Sequence, residues 1–114
     1  MDNMSKHPKF RIQKDERGAM RVFLLAGNGH VLLRSVDSFG LRGNADRWFE
    51  AMPKSPKYAI LPDTDDDDAL RIFVSNGNGQ VLFKTDDSYV KKGNADRSLE
   101  RIKAAATEAQ LEED

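Results

Sequence analysis

The sequence has no cysteine, which excludes disulfide frameworks, thiolate catalysis, iron–sulfur clusters and every cysteine-containing zinc site. Histidine is almost as scarce. The two present, His7 and His30, have no carboxylate or second histidine at ligand spacing, so both read as bystanders. Long apolar runs are missing as well: charges punctuate the first thirty residues, leaving no room for a signal-peptide core or a membrane span, and the expected compartment is the cytoplasm. An excess of one charge sign is also lacking, the formal net charge being −1 over 114 residues. That small sum hides an asymmetry. Residues 1–57 carry eleven Lys/Arg against six Asp/Glu, about +5, whereas residues 58–114 carry seven against thirteen, about −6. Opposite charge that helps two halves dock is the preferred reading, and a basic half that recruits a polyanion is the alternative.

What is present is self-similarity. At an offset of fifty, Arg21, Phe23, Gly27, Asn28, Gly29, Val31, Leu32, Asp37, Ser38, Gly43, Asn44, Ala45, Asp46, Arg47 and Glu50 meet identical residues from Arg71 to Glu100. Upstream the offset falls to 48, aligning Lys9-Phe10-x-Ile12 with Lys57-Tyr58-x-Ile60 and placing two extra residues in the loop that holds Asp63 to Asp68. A duplicated unit of strand, strand, strand and helix follows from this. The expected fold is α+β: one domain spanning 1–114, with repeats at 9–53 and 57–103 and a helical or fraying tail at 104–114.

Within each copy the elements are legible. Phe10 and Ile12 alternate with Arg11 and Gln13, and the runs Met20 to Ala26 and His30 to Ser35 are rich in β-formers. Asn28-Gly29, repeated as Asn78-Gly79, predicts a two-residue type I′ turn with positive φ at both positions. That loop sets Leu25 opposite Leu32, Leu24 opposite Leu33, Phe23 opposite Arg34 and Val22 opposite Ser35. One face then collects Val22, Leu24, Ala26, Val31 and Leu33, with Ile72, Val74, Val81 and Phe83, as the main buried surface. The other collects Arg21, Phe23, Leu25, Leu32 and Arg34, with Arg71, Phe73, Leu82 and Lys84. A helix follows, starting between Leu41 and Asn44, with Ala45, Trp48, Phe49 and Met52 on one stripe and Pro53 as its stop. Its twin uses Ala95, Leu99 and Ile102.

The ensemble of Phe10, Arg21, Leu24, Ala26, Asn28, Gly29, Val31, Leu32, Ser38, Phe39, Ala45 and Phe49, repeated around Tyr58, Arg71, Val74, Asn78, Gly79, Val81, Leu82, Ser88, Tyr89, Ala95 and Leu99, resembles the YegP-like family. The resemblance implies two β(3)-α-β units joined into one antiparallel, barrel-like sheet with helices packed outside, built from tandem repeats or from two single-repeat chains. The family is of unknown function, so the resemblance brings no catalytic residues. Two departures stand out: Trp48 occupies a place usually held by a small residue, and the tail reads as helix where the family pattern has a strand.

No catalytic, cofactor or metal site is expected. Gly27-Asn28-Gly29 lacks the third glycine of a dinucleotide loop and joins two strands. Asp63 to Asp68 lacks the glycine and the terminal glutamate of a calcium loop and reads as a solvated hairpin loop. Asp37-Ser38 and Asp87-Ser88 recur without a base and suit turn hydrogen bonding. Asn44-Ala45-Asp46-Arg47 suits a helix start, with Asn44 as cap and Arg47 paired to Glu50. The candidate interaction surface is therefore Arg11, Arg21, Phe23, Arg34, Arg71, Phe73 and Lys84. Cations flanking aromatic rings on a sheet suit single-stranded nucleic acid, while helices packed on that face would make the rings core. The functional expectation is a non-enzymatic binding or interaction module without cofactor or membrane partner. The alternative is a nucleic-acid-binding protein working through its basic first repeat. A monomer is expected, with edge pairing into a homodimer as the alternative.

Overall fold

Alternating apolar residues such as Phe10 and Ile12 give a strand one water-avoiding side, which must find a second layer. In the computed structural model, which describes residues 7–52, 56–63 and 68–112, that second layer is two helices set against one seven-stranded sheet. The elements are β1 (Lys9–Lys14), β2 (Met20–Leu25), β3 (Val31–Ser35), α1 (Arg42–Glu50), β4 (Lys57–Pro62), β5 (Leu70–Ser75), β6 (Val81–Thr85), α2 (Lys92–Glu108) and β7 (Gln110–Leu111).

The strands lie in the order β4-β5-β6-β3-β2-β1-β7. β3 and β6 pair antiparallel at the centre, with Leu33 opposite Thr85, Arg34 opposite Lys84 and Ser35 opposite Phe83. The sheet differs from the antiparallel, barrel-like expectation in two ways. It does not close, because β4 and β7 stand at opposite ends, and it is mixed, because β7 runs parallel to β1. In the tail, α2 continues to Glu108 and Gln110–Leu111 then form a strand. Alanine-rich composition favours helix locally, whereas pairing with β1 is a tertiary contact that composition does not report.

The face expected to be buried is the one the helices cover. Val22, Leu24, Leu33, Ile72, Val74 and Phe83 join Phe10, Ile12, Ala45, Ile102 and Ala105 in one core. Aromatic rings lock α1 onto it: Phe10 lies 4.9 Å from Phe49 and 6.0 Å from Phe83, and Trp48 meets Phe83 edge-on at 5.4 Å. Trp48, Phe49 and Met52 are half-buried against the same core. Pro53, the expected stop, lies outside the described residues, as do Lys54 and Ser55.

Two local features depart from the sequence expectation. The hairpin loop is three residues, Gly27-Asn28-Gly29: Ala26 N–H donates to His30 O at 2.8 Å and Gly29 N–H to Ala26 O at 2.9 Å. Gly29 has φ +90°, while no described non-glycine residue has positive φ, so this is not a type I′ turn. Asn28 acts through its side chain, its Oδ1 accepting the His30 N–H at 3.0 Å. Leu24 faces Leu33 but Leu25 faces Val31, leaving Leu32 as the extra residue of a β-bulge, and Leu82 is its counterpart between Val81 and Phe83. Both leucines are buried in the helix-side core, having left the mixed face on which strict alternation placed them.

The helix-start reading changes too. Leu41 is the N-cap of α1, without a side-chain cap bond. Asn44 lies inside the first turn, where its Oδ1 accepts Arg47 Nη2 at 2.6 Å, in place of the expected Arg47 to Glu50 pair. Asn94 and Arg97 repeat that contact in α2.

Candidate interaction surface

Residues directly opposite on neighbouring strands share a face. Arg11 faces Phe23, Phe23 faces Arg34, Arg34 faces Lys84, Lys84 faces Phe73 and Phe73 faces Ala59. These pairs form one row across the sheet, on the side away from the helices. The rings in it are unequal. Phe23 is only 4% exposed, with the Arg34 guanidinium 5.5 Å from its centroid, whereas Phe73 is half-buried.

Arg21 and Arg71 serve the fold's interior. Arg21 Nη1 donates to Ser35 O at 2.7 Å and Val36 O at 3.2 Å, and its Nε donates to Asp15 Oδ2 at 2.8 Å. Arg71 repeats the device on Thr85 O at 2.6 Å and Asp86 O at 3.0 Å, with its Nε 2.9 Å from Asp63 Oδ2. The Asp15 side chain is 3% exposed. Its pKa is lowered from 3.8 to about 2, chiefly by the Arg21 bond and further by the N–H groups of Arg17 and Ala19. Asp63, read above as part of a solvated loop, is instead buried; Thr64 to Asp67 lie outside the described residues. Asp15 and Asp63 stand at the same offset of 48 as Lys9 and Lys57, a correspondence that pairs them with Arg21 and Arg71 in advance.

The other cations of the row differ in how far they are engaged. Arg11 Nε donates to Glu112 Oε1 at 2.6 Å and Lys9 Nζ to Glu112 Oε2 at 2.9 Å, which fastens β7 to β1. The Glu112 pKa falls from 4.5 to about 2 under Arg11 and then Lys9. Arg34 lies 3.4 Å from Glu16 and 3.6 Å from Asp86, both exposed acids. Lys84 has no hydrogen bond or ion pair among the described residues. Beside Arg34, a depression of about 290 Å³ is lined by Asp15, Glu16, Arg17, Arg21 and Arg34.

The helix side offers little chemistry. An apolar cavity of about 250 Å³ lies among Phe10, Phe49, Met52, Tyr58, Phe83 and Ala106, and Tyr58 is its one titratable group, with a pKa raised by burial. No group of three potential metal ligands occurs among the described residues. Both histidines do have a carboxylate neighbour, His7 with Glu108 at 3.1 Å and His30 with Asp87 at 3.2 Å, in exposed positions. No described helix is long and apolar enough to cross a membrane.

No protein-family model matches the chain and no curated protein matches its sequence. Two solution NMR structures share its fold. The protein of unknown function yegP from E. coli superposes with a TM-score of 0.68 at 16% identity, over 93% of this chain and 91% of that one. A UPF0339 protein from Shewanella oneidensis gives 0.63 at 18% identity, over 95% and 92%. At such identities these likenesses speak for the fold, which agrees with the α+β fold that the resemblance of the repeated residues implies.

Proposed function

We propose that the chain is a non-enzymatic binding module that meets an anionic partner through the helix-free face of its sheet. The observation that carries this reading is the Arg34 and Lys84 pair. Two cations directly opposite on central strands repel each other, and only Arg34 has acids beside it. An incoming carboxylate or phosphate relieves that repulsion. An acidic protein segment suits the face better than stacked bases, because Phe23 is sealed beneath Arg34. A nucleic-acid reading keeps one specific support: half-buried Phe73 lies directly opposite the cation Lys84. The working unit in this reading is a cytoplasmic monomer.

We infer also that the two halves descend from one duplicated unit. The support is the recurrence of devices as well as letters: the bulged leucines, the Arg21 and Arg71 clamps, and the bridges joining Met20 to Phe39 and Leu70 to Tyr89.

The test is an amide NMR titration of the full chain with a poly-glutamate peptide and, separately, with short single-stranded RNA and DNA, at low and moderate salt. Shifts at Arg34, Phe73 and Lys84 with the acidic peptide, lost in Lys84→Glu, are expected. Shifts with oligonucleotides alone, collapsing steeply with salt, favour nucleic acid. Silence with both removes this face from consideration.

A further inference from the structure

The two outer strands of the matching halves are built alike and finished differently. β1 and β4 share the pattern Lys9/Lys57, Phe10/Tyr58 and Ile12/Ile60. They pair inward in the same register, Phe10 opposite Leu24 and Tyr58 opposite Val74. In an antiparallel pair alternate residues turn both backbone groups away from the partner. On β1 these are Phe10 and Ile12, and both carbonyls are used: Phe10 O accepts the Glu112 N–H at 2.8 Å and Ile12 O accepts Arg42 Nη1 at 3.2 Å. By register the outward residues of β4 are Tyr58, Ile60 and Pro62, since the next one, Asp63, turns its N–H inward to Ala69 O at 2.9 Å. Among the described residues nothing donates to Tyr58 O or Ile60 O. Lys92, in the place of Arg42, pairs with Asp96 at 3.2 Å. Pro62 has no N–H to offer and sits where an edge strand tolerates proline, which limits the open edge to Tyr58 and Ile60.

We propose that this edge docks an extended segment of an interacting protein, running parallel to β4 and reading polar, apolar, acidic. The chemistry of the occupant is taken from β7, which shows what the equivalent edge accepts. There Gln110 lies opposite Lys9 and Leu111 opposite Phe10, while the Glu112 carboxylate meets Lys9 and Arg11. On β4 the exposed Lys57 stands for Lys9 and Tyr58 for Phe10, but Ala59 replaces Arg11. One cation of two is retained, so the docked segment is held less firmly than β7. Main-chain bonds supply the attraction, and the apolar and acidic side chains select the sequence. A second copy of this chain is a poor occupant, because its Gln110–Leu111 would first have to leave its own β1, giving up the contacts it would gain. The site is an edge, separate from the Arg34 and Lys84 face, and stands whether or not that face binds anything.

The experiment uses the full isotope-labelled chain and a synthetic peptide of residues 107–114, with a control peptide carrying Leu111→Ala and Glu112→Ala. Shifts and slowed exchange at the Tyr58 and Ile60 amides are expected with the first peptide only. Lys57→Glu, on an exposed side chain, should weaken binding about two- to fivefold. Ile60→Pro, which deletes an outward N–H, should abolish it, and if that variant does not fold, Lys57→Glu decides. Shifts centred on Phe10 and Ile12 would show the peptide replacing β7 on β1 and overturn the proposal. An equal response to the control peptide, or none up to the solubility limit, overturns it as well.

Discussion

Ser35 Oγ accepts the Val22 N–H at 3.1 Å, a bond that stands where the β2 and β3 ladder would otherwise continue. The same hydroxyl donates to Asp37 O at 2.7 Å, and Thr85 repeats both contacts with Ile72 and Asp87. Ser35 and Thr85 are 0% and 1% exposed, so water is not a substitute partner. Ser35→Ala and Thr85→Val should each destabilise by about 1–3 kcal/mol through an orphaned buried N–H. A lower urea midpoint at unchanged slope is the expected result, and an unchanged midpoint for both would show the hydroxyls to be dispensable.

Removing the Arg21 clamp has a spectroscopic consequence. Asp15 owes its pKa of about 2 first to Arg21. In Arg21→Gln the Asp15 carboxyl should titrate markedly higher, toward or beyond 3.8, as followed by carboxyl NMR shifts, with a loss of stability at neutral pH. Retention of the low value would assign it to the Arg17 and Ala19 amides instead.

Acid should loosen the β7 edge. The folded-state pKa values of Glu112 and Asp15 lie below their ordinary 4.5 and 3.8, at about 2 for each. A depressed carboxyl stabilises the fold above its unfolded pKa and loses that contribution as pH falls through the folded value. Stability should therefore decline from about pH 4.5 to about pH 2. Glu112→Gln should flatten part of this limb and speed exchange of the residue-112 amide bonded to Phe10 O. A flat profile across that window argues against both pairs.

The hairpin distinguishes its own turn type. Gly29 has φ +90° and a Cβ there would meet nothing within 4 Å, so the penalty of Gly29→Ala is conformational, about 1–2 kcal/mol. Asn28→Gly should also destabilise, because it removes the acceptor of the His30 N–H and adds backbone freedom. A type I′ turn would tolerate glycine at that position, so thermal melts of the two variants separate the loops.

The parts of the fold that sequence discloses are those governed by local period. Alternation and runs of β-formers locate six strands and most of the buried face from Val22 to Phe83, and the 3.6 spacing locates both helices. A bulge breaks alternation without changing composition, so strict alternation puts Leu32 and Leu82 on the side opposite the one they occupy. The β7 strand is two residues in a helix-favouring context and is held by Lys9 and Arg11 from the other end of the chain. Asp15 and Asp63 were legible in principle through their shared offset, but the acidic letters after Asp63 made a solvated loop the simpler account. The row from Arg11 to Phe73 exists because β3 joins β6, a pairing between halves that no repeat alignment states.

That central pairing also settles a question of number. Arg34 and Lys84 hold equivalent places in the two halves and are each other's neighbours, so the middle of the sheet occurs once per molecule, while a feature farther out occurs twice in related but unlike copies. A ligand seated over the centre would saturate at one equivalent with a single affinity. One that recognised a peripheral feature exposed in both halves would saturate at two, with unequal affinities, so a calorimetric stoichiometry of two excludes both the centre and the β4 edge, whose β1 counterpart β7 fills.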